Sequence, residues 1–180
     1  MRSPRGVLWV GSRLLSYPSG KFWQELPALE RSVADLARSA RDPFERFILH
    51  LHQTDPLDVE EEYVRTFDLT DHASLYLTYS RDREGRDRGP ALAALLARYR
   101  AAVLEIESRE LPDYLPLLLE FLALRSDSDA APLAGEFARK VSDLASALTA
   151  GGSPYADVVT PAAGALHTLA AGPAARWWGR

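Results

Sequence analysis

Three carboxylates at seven-residue intervals, Asp113, Glu120 and Asp127, are the most chemically suggestive spacing in this 180-residue chain. On a helix, residues three and four apart share a face, so with Pro116 and Ala123 they trace one narrow acidic stripe. The helix expected to bear it is otherwise apolar nearly all round, as suits an element at the centre of a globule, and Glu120 is its single charge. A fully buried, unpaired carboxylate is expensive. Glu120 therefore either points into a solvated groove or pairs with an arginine such as Arg65 or Arg88. Asp113 has a direct structural reading. Three residues ahead of Pro116, it suits the N-cap of that helix, where an early proline loses no helical bond. Asp127 falls beyond the helix end.

A second concentration of acid lies between Pro56 and Asp71, where six carboxylates (Asp58, Glu60, Glu61, Glu62, Asp68 and Asp71) face one base, Arg65. Such a surface favours a basic partner; acids in a first helical turn also simply suit the helix dipole. Both readings stand. The segment has an apolar side (Val59, Tyr63, Val64, Phe67) and a polar one (Asp58, Glu61, Glu62, Arg65, Asp68). Core packing is the first reading of Tyr63 and Phe67. Glu61 and Arg65 stand in the favourable i,i+4 order, worth about 0.3–0.5 kcal/mol.

Other chemistry is poorly supplied. His50 and His52 are two apart and point away from each other on a helix; His72 reads as a cap or surface residue, and His167 stands alone. With no cysteine, disulfides, thiolate metal sites and cysteine-held clusters are excluded, and no metal site is expected. No nucleophile-elbow motif occurs. Gly85 and Gly89 sit in a run of mixed charge that makes no phosphate cradle. The sequence offers no catalytic constellation, and an enzyme is not expected.

The elements that must position these residues are helical. Helices are expected at 7–16, 23–39, 43–53, 56–67, 72–79, 90–104, 114–125, 132–149 and 154–169, with no convincing strand alternation. Asp42-Pro43, Asp55-Pro56 and Ser153-Pro154 each set a capping side chain before a proline suited to the first helical position. Gly151-Gly152 breaks the chain ahead of the last, and Pro161 is expected to kink or split it. Residues 80–89, seven of ten charged, read as a solvated loop. The expected fold is a single all-α multi-helix domain over residues 1–170, with a loosely held tail at 171–180 containing Trp177-Trp178. At 47% apolar residues the chain is an ordinary folded protein, yet no run is long enough for a membrane helix. The apolar residues 7–10 are too few for a signal peptide. A net charge of −4 with scattered bases argues against nucleic-acid binding. The cytoplasm is the expected compartment.

Certain short motifs recur here in a recognisable order: Asp55-Pro56-Leu57-Asp58, Glu62-Tyr63-Val64-Arg65-Thr66-Phe67-Asp68, Ser74-Leu75, Arg86-Asp87-Arg88-Gly89, and Ser108-Arg109-Glu110-Leu111-Pro112-Asp113 running on to Leu115-Pro116-Leu117. A weaker one, Arg13-Leu14-Leu15-Ser16-Tyr17-Pro18, precedes them. In this combination the chain resembles the NarJ family of nitrate reductase assembly chaperones, within the wider TorD/DmsD group, over about residues 8 to 160. Three positions depart from the family pattern: Tyr114 stands where histidine is frequent, Val103 where glycine often ends a helix, and the sequence stops at Arg180 where many relatives continue into an acidic tail.

The resemblance implies a TorD-like helical bundle that binds the N-terminal segment of the apo catalytic subunit of a respiratory nitrate reductase and assists molybdenum cofactor insertion. It implies no tightly bound cofactor, no membrane insertion, and a monomer or weak homodimer, with 80–89 as a hinge if protomers exchange elements. The client-facing set is Glu61, Glu62, Tyr63, Arg65, Phe67, Asp68, His72, Tyr76, Arg88, Asp113, Tyr114, Leu117 and Glu120. Arg86, Asp87 and Arg88 would order their loop or meet the client. A helical regulatory protein, or a chaperone for another molybdoenzyme, is the alternative.

Overall fold

The apolar stretch around Glu120 does form the centre of the molecule. A computed structural model describes residues 3–69, 73–79, 88–101, 110–125 and 130–172, and among these there are eight helices. They are α1 (Pro4–Leu14), α2 (Gly20–Ala34), α3 (Arg38–Gln53), α4 (Pro56–Phe67), α5 (Arg88–Ala101), α6 (Leu115–Leu124), α7 (Ala130–Ala150) and α8 (Ala156–Ala171). Six of the ten residues of α6, Leu115, Pro116, Leu118, Leu119, Phe121 and Leu122, are buried. Helix α1 lies between α6 and α8, and α8 packs along α7 and against α3. The crossing of α1 with its neighbours depends on Gly11, where a Cβ would stand 3.5 Å from Ala162 Cβ and 3.7 Å from Leu119 Cδ1. Each large apolar side chain buried in this core contributes about 1.5–3 kcal/mol.

Cap chemistry marks several boundaries. Asp55 Oδ1 accepts from the Leu57 amide at 3.0 Å with Pro56 at the first position of α4, and Ser3 Oγ does the same for α1 at Arg5. Gly152, at φ 66°, ends the turn after α7 in the left-handed region that glycine enters at little cost.

The expected boundaries fail in four places. Asp42-Pro43 does not start a helix, because α3 begins at Arg38 and runs through Pro43. Its buried stripe of Ala40, Phe44, Phe47, Ile48 and Leu51 spans the proline, and that burial outweighs one lost backbone bond. The helix expected over 23–39 is two, α2 and α3, parted at residues 35–37. Ser153-Pro154 forms a turn ahead of α8, with Ser153 Oγ accepting from the Tyr155 amide, and Pro161 lies inside α8 without splitting it.

The fourth departure shapes the candidate surface. Residues 73–79 are not helical. Ala73, Leu75 and Leu77 are buried while Ser74, Tyr76 and Thr78 are half-exposed, a period of two that belongs to extended chain. Tyr76 forms an isolated antiparallel bridge with Tyr114. The Leu77 amide donates to the Asp113 carbonyl at 2.9 Å and the Leu115 amide to the Leu75 carbonyl at 2.8 Å. Residues 80–87 of the charged loop, Val103 and the Trp177-Trp178 tail lie outside the described residues, while Arg88 and Gly89, expected in that loop, open α5.

Candidate functional site

The bridge brings four tyrosines into one row. Tyr17, between α1 and α2, meets Tyr63 of α4 edge-on at a centroid distance of 5.4 Å. The Tyr63 hydroxyl donates to the Leu15 carbonyl at 3.1 Å and lies 2.8 Å from the Tyr114 hydroxyl, which donates to it in turn. The Tyr114 ring packs on Tyr76 at 5.4 Å. Behind the row, Tyr63, Phe67, Phe47 and Tyr155 form a buried aromatic cluster with ring separations of 4.8 to 5.8 Å.

Carboxylates flank the row. Tyr17 donates to Glu60 Oε2 at 2.9 Å and Tyr76 to Glu110 Oε2 at 2.8 Å. The hydrogen bond to Glu60 raises the Tyr17 pKa first, and the charges of Glu60 and Asp68 add to it. Burial pushes Tyr114 up to about 12; Glu110 and Asp68 push the same way, while the hydrogen bond with Tyr63 opposes them. Tyr63 is raised chiefly by burial, and Asp68 again contributes. Glu60, Asp68 and Glu110 therefore act on a single aromatic surface. Leu57, Leu69 and Leu111, in the same segments as Glu60, Asp68 and Glu110, are exposed.

Asp113 holds the far wall of this surface from inside. It is fully buried. Its carboxylate does not cap α6, as the spacing suggested: the N-cap is Tyr114, which makes no side-chain cap. Instead Oδ2 accepts from the Thr78 amide at 2.9 Å and the Thr78 hydroxyl at 2.6 Å, because the antiparallel bridge turns the side chain toward residues 73–79. Arg88 Nη2 lies 3.8 Å from Oδ2 and its guanidinium stands over the Tyr79 ring. Lys140 of α7 donates to the Tyr79 carbonyl at 3.2 Å; burial lowers its pKa, Asp113 opposes that shift and Arg88 adds to it.

The residues singled out from the sequence thus separate. Tyr63, Tyr76 and Tyr114 come together at the row, with Phe67 buried behind it and Asp68 next to it along the chain. Arg88 and Asp113 meet beneath it. Glu62 turns away to His50, at 2.7 Å. Glu61 and Arg65 stand exposed, and among the described residues no ion pair joins them; two mobile side chains in water gain little from pairing. Leu117 is half-buried against the core. Glu120 pairs with neither Arg65 nor Arg88. Its partner is Arg13 of α1, both side chains about 30% exposed, because α1 packs directly on α6. His72 lies outside the described residues.

Tyr17, Glu60 and Glu110 lie at this site and are missing from the client-facing set, although Tyr17 and Glu110 sit inside the family's motifs and Glu60 in the acidic run. The signal that goes unread is pairing at separations of 43 and 34 residues. Among the described residues no group of three or more potential ligands is placed to hold a metal ion.

Similarity to known proteins runs through the same segments. The profile of the "Nitrate reductase delta subunit" family matches residues 27–160. "Nitrate reductase molybdenum cofactor assembly chaperone NarJ" of Escherichia coli (strain K12) is 39% identical over 126 residues, 68% of this chain and 53% of that protein. "Probable nitrate reductase molybdenum cofactor assembly chaperone NarJ" of Bacillus subtilis (strain 168) is 33% identical over 159 residues, 88% of this chain and 86% of that one. "Nitrate reductase-like protein NarX" of Mycobacterium tuberculosis (strain ATCC 25618 / H37Rv) is 34% identical over 154 residues, 85% of this chain but 23% of the relative. The chain spans about half the length of the Escherichia coli relative. On the family match and the relative covered nearly end to end, the chain belongs to the nitrate reductase delta subunit family, that of the NarJ assembly chaperones.

Proposed function

We propose that this protein is an assembly chaperone for nitrate reductase, binding the N-terminal segment of the apo catalytic subunit while molybdenum cofactor is inserted. One observation carries the reading. The tyrosine row and the carboxylates of Glu60 and Glu110 share one surface, and that surface is built from the segments that carry the family's motifs. Apolar walls with acidic edges suit a basic amphipathic helix lying in a groove. The rings and leucines supply affinity, and Glu60, Asp68 and Glu110 set orientation and on-rate. Asp113 and Arg88 shape the wall. The cofactor travels with the client, and the chaperone works in the cytoplasm as a monomer or weak dimer. Among the described residues no helix is long and apolar enough to cross a membrane.

Calorimetric titration with a peptide copying the N-terminus of the source organism's nitrate reductase catalytic subunit tests this. A scrambled peptide of equal charge is the control. Saturable binding of the true peptide alone is expected; equal binding of both, or none, would overturn the proposal and send the search to another client.

A further inference from the structure

The row offers more than apolar area, and its three carboxylates are not equivalent. Glu60 and Glu110 each already accept a tyrosine hydroxyl, which fixes the outer rings and satisfies those acids. Asp68 has no such donor: among the described residues no hydrogen bond or ion pair reaches its carboxylate. It also sits at the C-cap of α4. There the last carbonyls concentrate partial negative charge, and an acid is least favourable. Arg65, one turn back, leaves it unpaired. Leu69, the next residue, is 75% exposed.

The rings near Asp68 are accessible to different degrees. Tyr17 is 44% exposed, Tyr76 and Tyr114 are half-buried, and Tyr63 beneath them is closed to solvent. Asp68 directly follows Phe67, whose ring packs on Tyr63 at 4.9 Å, and its charge bears on Tyr17, Tyr63 and Tyr114 alike. An uncompensated acid on the wrong end of a helix, beside electron-rich rings and a bare leucine, is a local conflict of the kind proteins retain at functional sites. A cation set against the rings relieves it on both counts, by attraction to the aromatic quadrupoles and by neutralising the carboxylate.

We infer that the tyrosine row is a cation–π receptor for one arginine or lysine side chain of the client peptide, with Asp68 as its counter-ion and Leu69 covered by an apolar neighbour of that residue. The inference rests on the peptide-binding reading and narrows it: of the acids on this face, Asp68 alone receives the cation, and the rings contribute through their π faces as well as their area.

The test uses the full chain, the same client peptide, and peptides in which each arginine becomes citrulline or each lysine norleucine, one at a time. Three variants are compared: Tyr17→Phe, which keeps the ring; Tyr17→Leu, which keeps only apolar area; and Asp68→Asn. Both positions are solvent-exposed, and unchanged far-ultraviolet circular dichroism establishes folding. Tyr17→Phe is expected to bind within about twofold of wild type, and Tyr17→Leu and Asp68→Asn to lose about 3- to 30-fold. One neutralised peptide should show a similar loss with wild type and no further loss with Asp68→Asn. If Tyr17→Leu binds as tightly as Tyr17→Phe, or if Asp68→Asn loses equally against every neutralised peptide, the receptor is overturned while the chaperone reading survives. If wild type does not bind the client peptide at all, both fall together.

Discussion

The body of the molecule and the surface that carries the tyrosine row are held together by different physics. In the body, α1, α6, α7 and α8 lie directly against one another through residues such as Leu8, Leu118, Leu119, Val158 and Ala162, all without solvent exposure. That attraction is non-directional and scales with area. At the row, order depends on bonds with defined partners: Tyr63 on Leu15, Tyr76 on Glu110, Thr78 on Asp113. A core spread over dozens of side chains degrades gradually. A surface organised through one buried carboxylate can be lost with that group alone.

Substitutions should separate the two regions. Asp113→Ala leaves the Thr78 amide and hydroxyl, Arg88 and Lys140 without their shared anion, and is expected to cost about 3–5 kcal/mol. Urea denaturation reads that loss, and peptide binding should vanish even below the unfolding midpoint; retained binding would show that the wall does not depend on this residue. Leu118→Ala, in the middle of α6, should cost about 2–5 kcal/mol through lost transfer energy and the cavity left behind. Here the folded fraction should still bind peptide with unchanged affinity, and a coupled loss would erase the distinction between the regions.

Alkali probes the row through Tyr114. Its pKa is raised from 10.0 to about 12 in the folded protein. Between those values the unfolded chain gives up a proton that the folded one keeps. Stability is therefore fully present below about pH 10 and is lost as pH rises toward 12, by up to about 3 kcal/mol at 1.4 kcal/mol per pH unit. Lys140, depressed below its ordinary 10.5, works in the opposite sense and offsets part of this as pH rises. Tyrosinate absorbance should appear together with unfolding, and Tyr114→Phe should remove its share of the decline, while Tyr63, Tyr76, Tyr99 and Tyr155, all raised by burial, keep theirs. The smallest effect is expected at Asp55→Ala, where loss of the α4 cap costs about 1 kcal/mol by thermal denaturation; a large effect on binding there would mean that the entry to α4 belongs to the site.

Much of this architecture is legible locally. The Asp55-Pro56 cap, the glycine break after α7 and the apolar run of α6 each act within a few residues, so their signals survive in the sequence. Of the acidic excess of 56–71, Glu60 reaches the row through Tyr17, while Glu62 turns to His50. What misleads is information that exists only after folding. Asp113 ahead of Pro116 looks like a cap, and only pairing with a segment 35 residues earlier reveals a buried acceptor. The alternation of Ala73 to Thr78 covers six residues, too few to stand out in a helical chain. Glu120 finds Arg13 at a separation of 107 residues, which no helical periodicity encodes.

That last separation has a consequence for synthesis. Helix α1 leaves the ribosome well before its partners α6 and α8. At about 5–20 residues per second, roughly 5–20 s pass between Arg13 and Glu120. The row likewise stays open until Tyr114 has emerged, 51 residues after Tyr63. A nascent copy therefore cannot assemble the row early, and long-range closure of this kind slows folding. The aromatic surface is acquired late, and nearly all at once.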